Sequence, residues 1–569
     1  MAKILFIQPP FADYYSTRVR NYPLGLLYLA SAVRERVENT EIKVYDFPAR
    51  GPARQINPPP EYAFMGKYYT KPNKSPFRLF GHYSHYGASW EDIEAVLAEE
   101  QPDIACVSYM FSTYYGYSKK TSSLIKSASP KTILIAGGCH VSAEPEAVLY
   151  DGKSDYIITG EGETALSLLL DKLVNGRGAS PSLIPSVGKR SSGGVTLNSA
   201  KGLPDLDGLP FPARDLLDKD AYTSGNKRHT MILASRGCPY SCSFCAGYKR
   251  NYRVRSLENI LEEIKACVGD LNIKSFDFED DNITFDRERS KALLSSLAAE
   301  FKPGELDFYA MNGLRASDLY PGAAKLFKAA GFRHLDLPVV SGSRKTLAFF
   351  NREEKRTLYS EAARQCSKAG LPATAYIIIG APGQTAKSAL SDLYFAFRLG
   401  MPVSVSIFYA TRDMPAYPRL LADRIITEAA PAFSRTSVPW IETREMKRKD
   451  IITFFRLARI CNYITGLTNG PEGKKDSPAR LRDRLNRLFG NARPDKEGKV
   501  RLDKGMAGLF CLHLFLRYGV IYGFFKTKDD LDKDLYVFFR EYYSITIVRD
   551  FRKAVLRKQR ARALFKKAP

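Results

Sequence analysis

Apolar residues in the first 185 positions fall into two alternating rhythms. KILFIQ (3–8), EIKVYDF (41–47), DIACVSY (103–109), KTILIAGG (131–138) and SDYIITG (154–160) are compact runs of strand length. Between them, PLGLLYLASAVRERV (23–37), GYSKKTSSLIKSA (116–128) and TALSLLLDKLVNG (164–176) space their apolar residues as a helix does, the last ending on a glycine. Strand and helix in alternation predict a parallel sheet covered on both faces, an α/β Rossmann-like domain over 1–185. Ligands of such sheets lie at the carboxyl ends of the strands. Residues 52–90 break the rhythm with Tyr, Phe, Pro and His; a stretch that long without periodicity reads as a functional loop or lid.

Residues 186–225 are rich in Gly, Ser and Pro and read as a linker. A second alternating series fills 226–425. HTMILAS (229–235), SFDFEDDNITF (275–285), LDFYAMNG (306–313), HLDLPVV (334–340), ATAYIIIGA (373–381) and VSVSIFYA (403–410) are its strands, and SLENILEEIKACVGDL (256–271) is its clearest amphipathic helix. Each unit spans roughly 30 residues, the size of a (β/α) barrel repeat. The remainder, 426–569, is helix-prone, basic and aromatic, and reads as a mainly helical C-terminal domain.

Composition adds two constraints. Hydrophobic residues at 44% and charged residues at 26% describe a globular chain of 569 residues. The balance of 85 Lys and Arg against 61 Asp and Glu, net +24, favours a polyanionic surface, lipid or nucleic acid. MAKILFIQPP is too short in its apolar run for an export signal, so a cytoplasmic location is expected, with membrane association through the basic C-terminus as its extension. Six of the nine cysteines are scattered and read as buried free thiols.

The other three stand together in ASRGCPYSCSFCAGY (234–248): Cys238, Cys242 and Cys245. Three ligands in Cys-x3-Cys-x2-Cys are one short of a closed zinc site, and no second pair or nearby histidine completes it. A zinc site with a distant fourth ligand, three unligated thiols, and a cubane cluster with one open iron all fit the count. RGCPYSCSFC resembles the signature loop of the radical S-adenosylmethionine (SAM) superfamily. That resemblance implies a partial TIM-type barrel over 226–425 whose three thiolates hold a [4Fe–4S] cluster, with SAM chelated to the fourth iron and cleaved to a 5′-deoxyadenosyl radical. Further segments resemble the family's motifs in order. Phe244 precedes the last cysteine. FEDDNIT places Glu279, Asp280 and Asp281 near the SAM amino group, and MNGLRAS places Arg315 at its carboxylate. PVVSGS places Ser341 in the next motif, with Val340 where the family usually has Glu, so no carboxylate role carries over there. YIIIGAPGQT places Gly380 near the adenosine.

The first domain resembles cobalamin-binding domains. VYDFPARG (44–51) keeps Asp46 and Gly51 of Asp-x-His-x-x-Gly but has Pro48 at the axial histidine, which implies cobalamin with no histidine below cobalt. Ser108 stands about where the family's Ser-x-Leu lies. Gly137 and Gly138 stand at its Gly-Gly, where a bare backbone approaches a flat ligand. Glu161 opens the GEGETA segment common in cobalamin-dependent radical SAM enzymes. Together these resemblances imply C-methylation of an unactivated carbon, or alternatively a ring-forming, rearranging or oxidising reaction. A flavodoxin- or ferredoxin-like electron donor is the expected partner.

RDFRKAVLRKQRARALFKK (549–567) reads as a basic amphipathic helix or a solvated one, and MAGLFCLHLFLRYGVIYGFF (506–525), interrupted by His513 and Arg517, as a buried or interfacial helix. With FFRLARICNYI (454–464) these segments suggest a greasy pocket and a lipid or other small-molecule substrate. Nucleic acid is not expected: the chain has no RNP pattern or KH loop, and the first domain has only Cys106 and Cys139, too few for a second cluster. The cysteine triplet also argues against a non-catalytic cobalamin sensor.

Overall fold

The computed structural model describes residues 1–67, 82–151, 153–191, 194–200, 202–246, 251–312 and 314–468. The basic 549–567 segment and the apolar 506–525 segment lie outside the described residues.

Alternation along the first strand shows why the sheet forms. Ile4 and Phe6 point into one core with Leu27 and Leu169, while Leu5 and Ile7 point into another with Phe47 and Val107. Seven strands lie in the order Gly194–Leu197, Val187–Ser191, Tyr156–Ile158, Ile133–Gly137, Ile104–Ser108, Ala2–Gln8, Thr40–Asp46. The five from Tyr156–Ile158 to Thr40–Asp46 are parallel, as expected. Strand order reverses between Ala2–Gln8 and Ile104–Ser108, which opens a crevice at their carboxyl ends.

The outer two strands correct the linker reading of 186–225. Val187–Ser191 and Gly194–Leu197 pair antiparallel and extend the sheet. Short edge strands need little apolar pattern, so Gly and Ser masked them. The segment after these strands straps the two halves of the chain together. Ala213 N–H donates to the Leu27 carbonyl at 3.1 Å, and buried Arg214 donates to Glu263 at 2.6 Å.

Six parallel strands build the second body: Lys227–Ile232, Ile273–Phe278 and Asp307–Tyr309 in one arc, and Leu335–Val340, Ala373–Ile379 and Val403–Ile407 in the next. A single parallel bridge, Phe308 to Phe332, joins the arcs into a partial barrel. Helix Arg448–Thr468 covers the edge at Val403–Ile407. The Asn462 amide donates to the Val403 carbonyl at 2.7 Å and accepts its N–H at 2.6 Å, occupying backbone groups that an edge strand leaves open. Ile451, Ile452, Phe454 and Leu457 of this helix lie in the barrel core. The boundary read at 425 therefore cuts through the barrel, and part of the expected C-terminal domain belongs to it.

The aromatic insertion is built into the fold. Ser84–Tyr86 pairs with Phe11–Asp13 on one side and Arg54–Gln55 on the other in a small antiparallel sheet, and the turn Pro60–Lys67 sends Tyr62 and Met65 into the barrel core.

Candidate functional site

The cysteine loop leaves the first barrel strand through a two-residue hairpin, Ser235–Arg236 paired with Arg253–Val254. Cys242 is buried, and Cys238 and Cys245 are partly exposed. All three line one cavity of ≈ 1440 Å³. Among the described residues no group of three or more His, Cys, Asp or Glu side chains is gathered as a single-metal site. Three thiols facing one cavity suit a cubane cluster, which spreads its thiolates over separate irons. Burial pushes the Cys238 thiol up to about 11, so its thiolate form calls for a compensating cation.

The acidic motif divides its labour. Asp281 accepts the Gly237 N–H at 3.2 Å and faces the cavity. Asp280 is fully buried, accepts the Ala234 N–H at 3.0 Å and the Ser235 hydroxyl, and is pushed up to about 6 by burial. Its place is under the loop, not on the cavity wall. Glu279 accepts from Arg20 at 2.9 Å and from Asn312, and these two partners line the cavity in its stead. Asp277 beneath them is pushed up to about 8 by burial and by Glu279.

Arg315 lies on the cavity wall, its guanidinium 3.7 Å from the centre of the Tyr240 ring. Two residues not singled out in the sequence complete its setting. Glu354 accepts from Arg315 at 3.3 Å and from Arg352 at 2.6 Å, so one buried carboxylate holds two guanidiniums that both face the cavity. Burial alone would raise the Glu354 carboxyl, but Arg352, Tyr359 and Arg315 outweigh it and hold it below its usual range. The only signal in the sequence is a charged NREEK run just after an apolar helix. Phe244 lines the cavity, edge-on to Phe350 at 4.8 Å. Val340 lines it with φ +58, a left-handed backbone rare for a β-branched residue. Ser341 and Gly380 sit behind the wall: the Ser341 hydroxyl donates to Asp392 at 2.5 Å, and the Gly380 N–H donates to Gln384 at 2.8 Å.

In the first domain, Ser108, Gly137 and Gly138 come together at adjacent strand ends. Gly138 has φ +124, and a Cβ there would meet the Tyr109 carbonyl oxygen at 2.7 Å, so only glycine fits. Met110 and Phe111 follow Ser108 and are 39% and 53% exposed, an apolar shelf at the crevice. A bare backbone beside an apolar shelf fits a flat corrinoid. Gly51 has φ +91 and packs against Gly87, while Asp46 is buried and accepts from the Tyr222 hydroxyl. Glu161 is turned away, toward Arg236 at 2.8 Å and toward Arg253. His140 is buried, bonds Ser112 at 2.9 Å, and is depressed to about 4 by burial, so its imidazole stays neutral at physiological pH.

Residues 232–393 match the model of the radical SAM superfamily, and residues 81–170 match that of the B12 binding domain. The chain is 25% identical to an uncharacterized methyltransferase of Pyrococcus horikoshii over 404 residues, 70% of this chain and 78% of the other. It is 26% identical to cytidylyl-2-hydroxyethylphosphonate methyltransferase of Streptomyces wedmorensis over 417 residues, 67% of this chain and 73% of the other. Its fold resembles that of the radical S-adenosylmethionine methyltransferase TsrM from Kitasatospora setae, solved with cobalamin and [4Fe–4S] cluster bound, at TM-score 0.58 and 16% identity, covering 99% of this chain and 100% of that one.

Proposed function

From the premise that this chain is a radical SAM enzyme with a B12-binding domain, its cofactors a [4Fe–4S] cluster, SAM and cobalamin, we propose that it methylates an unactivated carbon of a small molecule held in the central cavity. One observation carries the reading. The cysteine triplet, Arg315 and Arg352, and Phe11, Asp13 and Tyr114 of the first domain all line the same cavity, so both halves of the chain address one space.

In this reading Cys238, Cys242 and Cys245 hold the cluster, and Arg315 with Arg352 receives the SAM carboxylate. Asp281 and Phe244 flank SAM, while Glu279, Asp280, Ser341 and Gly380 support the wall behind it. Ser108, Gly137, Gly138 and Gly51 cradle cobalamin, and Asp46 steadies the strand end beside them. When bound, these groups supply the net reaction R–H + 2 SAM⁺ + 2 e⁻ → R–CH₃ + 5′-deoxyadenosine + methionine + S-adenosylhomocysteine, with a flavodoxin- or ferredoxin-type donor providing the electrons.

The lumen wall informs the substrate. Near the cysteines it is apolar: Phe244, Val340, Ile378 and Phe408. Toward the amino ends of the strands it turns polar. Asp336 stands in register with Thr374, and Tyr376 with Ser404. Asp336 and Thr374 share His334 as a partner, at 3.1 and 2.8 Å, and a bare hydrocarbon lying there would still desolvate their side chains. We therefore favour an acceptor with an apolar reacting carbon and a hydrogen-donating polar head, over a wholly hydrophobic lipid. Of FFRLARICNYI, Phe454 and Leu457 are buried in the barrel core, while Phe455, Ala458, Arg459 and Asn462 line the cavity, so the segment contributes both apolar and polar groups to its wall.

Anaerobically reconstituted enzyme with SAM and reductant is expected to release 5′-deoxyadenosine and S-adenosylhomocysteine together, measured by mass spectrometry. Deoxyadenosine alone would favour a rearranging or cyclising reaction, and neither product with an intact cluster would sink the reading. With the methyl acceptor in hand, Asp336→Asn is expected to raise KM about tenfold, the worth of a charged hydrogen bond, with kcat little changed. An unaltered KM would remove Asp336 from the substrate site.

Membrane association through 549–567 stays a proposal. Among the described residues no helix is long and apolar enough to cross a membrane. Binding to anionic but not neutral vesicles is expected, and equal failure on both would exclude it.

A further inference from the structure

Glu161 and Glu163 stand between strand Tyr156–Ile158 of the first domain's sheet and the first turn of helix Glu163–Asn175. Both carboxylates reach across to the base of the cysteine loop. Arg236 donates to Glu161 at 2.8 Å and to Glu163 at 2.7 Å. Arg253 donates to Glu161 and, through its other terminal nitrogen, to the Pro204 carbonyl at 2.6 Å. Arg236 and Arg253 are themselves partners in the hairpin that closes the loop, and Arg236 stands two residues before Cys238. Its guanidinium also lies 4.9 Å from the centre of the Tyr28 ring on a first-domain helix. The Arg236 and Glu163 side chains are 15% and 6% exposed, so water screens this contact little.

We propose that Glu161 and Glu163 are positioning residues: they clamp both stems of the cysteine loop to the first domain and so set where the loop stands relative to the cobalamin crevice. The geometry is more specific than a stabilising ion pair. Two planar guanidiniums on facing strands share one carboxylate, which fixes the direction of the hairpin as well as its distance. A group displaced by an ångström can cost a reaction about a hundredfold. The clamp would therefore be felt where the two domains must act on each other. Cleavage of SAM depends on the loop and its own cluster, whereas release of S-adenosylhomocysteine depends on SAM meeting cobalamin across the interface. The second dependence rests on the function proposed above; the clamp itself does not.

The test compares the full chain, reconstituted with iron, sulfide and cobalamin, with Glu161→Gln, Glu163→Gln and the double variant. Asp215→Asn, which breaks an exposed ion pair to Arg34, is the control. Hydrogen exchange is read on peptides covering 234–256. In the double variant their exchange is expected to rise about tenfold while the central strands of both sheets stay protected. Iron content and the cluster's electron paramagnetic resonance spectrum are expected to match the parent. S-adenosylhomocysteine release should fall about ten- to a hundredfold while 5′-deoxyadenosine release persists. Each single variant leaves Arg236 one carboxylate and should show a smaller loss, which keeps the test available if the double variant folds poorly. Unchanged exchange at 234–256 would overturn the proposal. So would exchange rising equally throughout both domains, which marks a general loss of stability. If the parent chain releases neither product, the function proposed above falls, and the exchange data still decide the clamp.

Discussion

Arg435→Ala is expected to destabilise the fold by about 3–5 kcal/mol, the usual cost of leaving one partner of a buried ion pair alone. The magnitude follows from how many groups the guanidinium serves. It pairs with Asp13 at 2.9 Å, donates to the Ala12 carbonyl at 2.6 Å and to the Tyr62 hydroxyl at 2.8 Å, and reaches the Tyr83 hydroxyl at 3.4 Å. The rings of Tyr62, Tyr83 and Tyr114 stand within 5.6 Å of it. Only 7% of the Arg435 side chain and 9% of Asp13 meet solvent. Truncation strands a carboxylate in an apolar, aromatic setting, with the Tyr14 N–H at 2.6 Å and the Tyr114 hydroxyl at 2.8 Å as its close remaining donors. Asp13→Asn combined with Arg435→Met removes both charges and should recover part of the loss. Urea midpoints of the parent and the two variants measure this, and a double variant no better than Arg435→Ala would show that the charge pair is not the cause.

Cys242→Ala is expected to bring 5′-deoxyadenosine formation down to the protein-free background, together with loss of cluster iron. Cys242 is the buried member of the triplet, so solvent replaces its sulfur less readily than those of Cys238 and Cys245, which have exposed edges. Cys106, Cys267 and Cys366 are the natural comparison. They are buried thiols outside the loop, and alanine there should cost about 1–2 kcal/mol of packing and leave iron content alone. Iron per chain and deoxyadenosine yield for the two groups separate a ligand from a space-filler. Equal iron in Cys242→Ala and the parent would remove the triplet from the cluster.

The contrast between these two sites shows what a sequence can carry. The cysteine triplet is local: spacing, a preceding strand and a following helix all lie within about 40 residues, so its chemistry is written in one place. The parallel sheet is similarly visible, because Ile4, Leu5, Phe6 and Ile7 face two cores and leave a continuous apolar run. Arg435 leaves no such trace. Its partners come from positions 12–13, 62 and 83, and only folding brings them together. Glu354 is only half legible, since Arg352 stands two residues before it but Arg315 comes from another segment. Two misread boundaries have a different cause. Strands Val187–Ser191 and Gly194–Leu197 have too few apolar residues to beat their Gly and Ser, and helix Arg448–Thr468 carries a helical pattern that cannot say which body it packs on. Val340 adds a third kind of silence: its left-handed φ follows from a slip in strand register between Pro338 and Val340, which composition does not encode.

The aromatic cage around Arg435 also bears on how such chains diverge. Its walls are drawn from the first domain, from the insertion and from the segment after the last barrel strand. A recombination event that exchanged the corrinoid-binding half alone would inherit the arginine without its acceptors, or the acceptors without the arginine. Viable hybrids between relatives should therefore carry positions 12–13, 62, 83, 114 and 435 from one parent, and crossover points should avoid separating them. Inheritance in this architecture is then by linked sets of distant positions, and the visible domain boundary is a poor guide to where a gene can be cut.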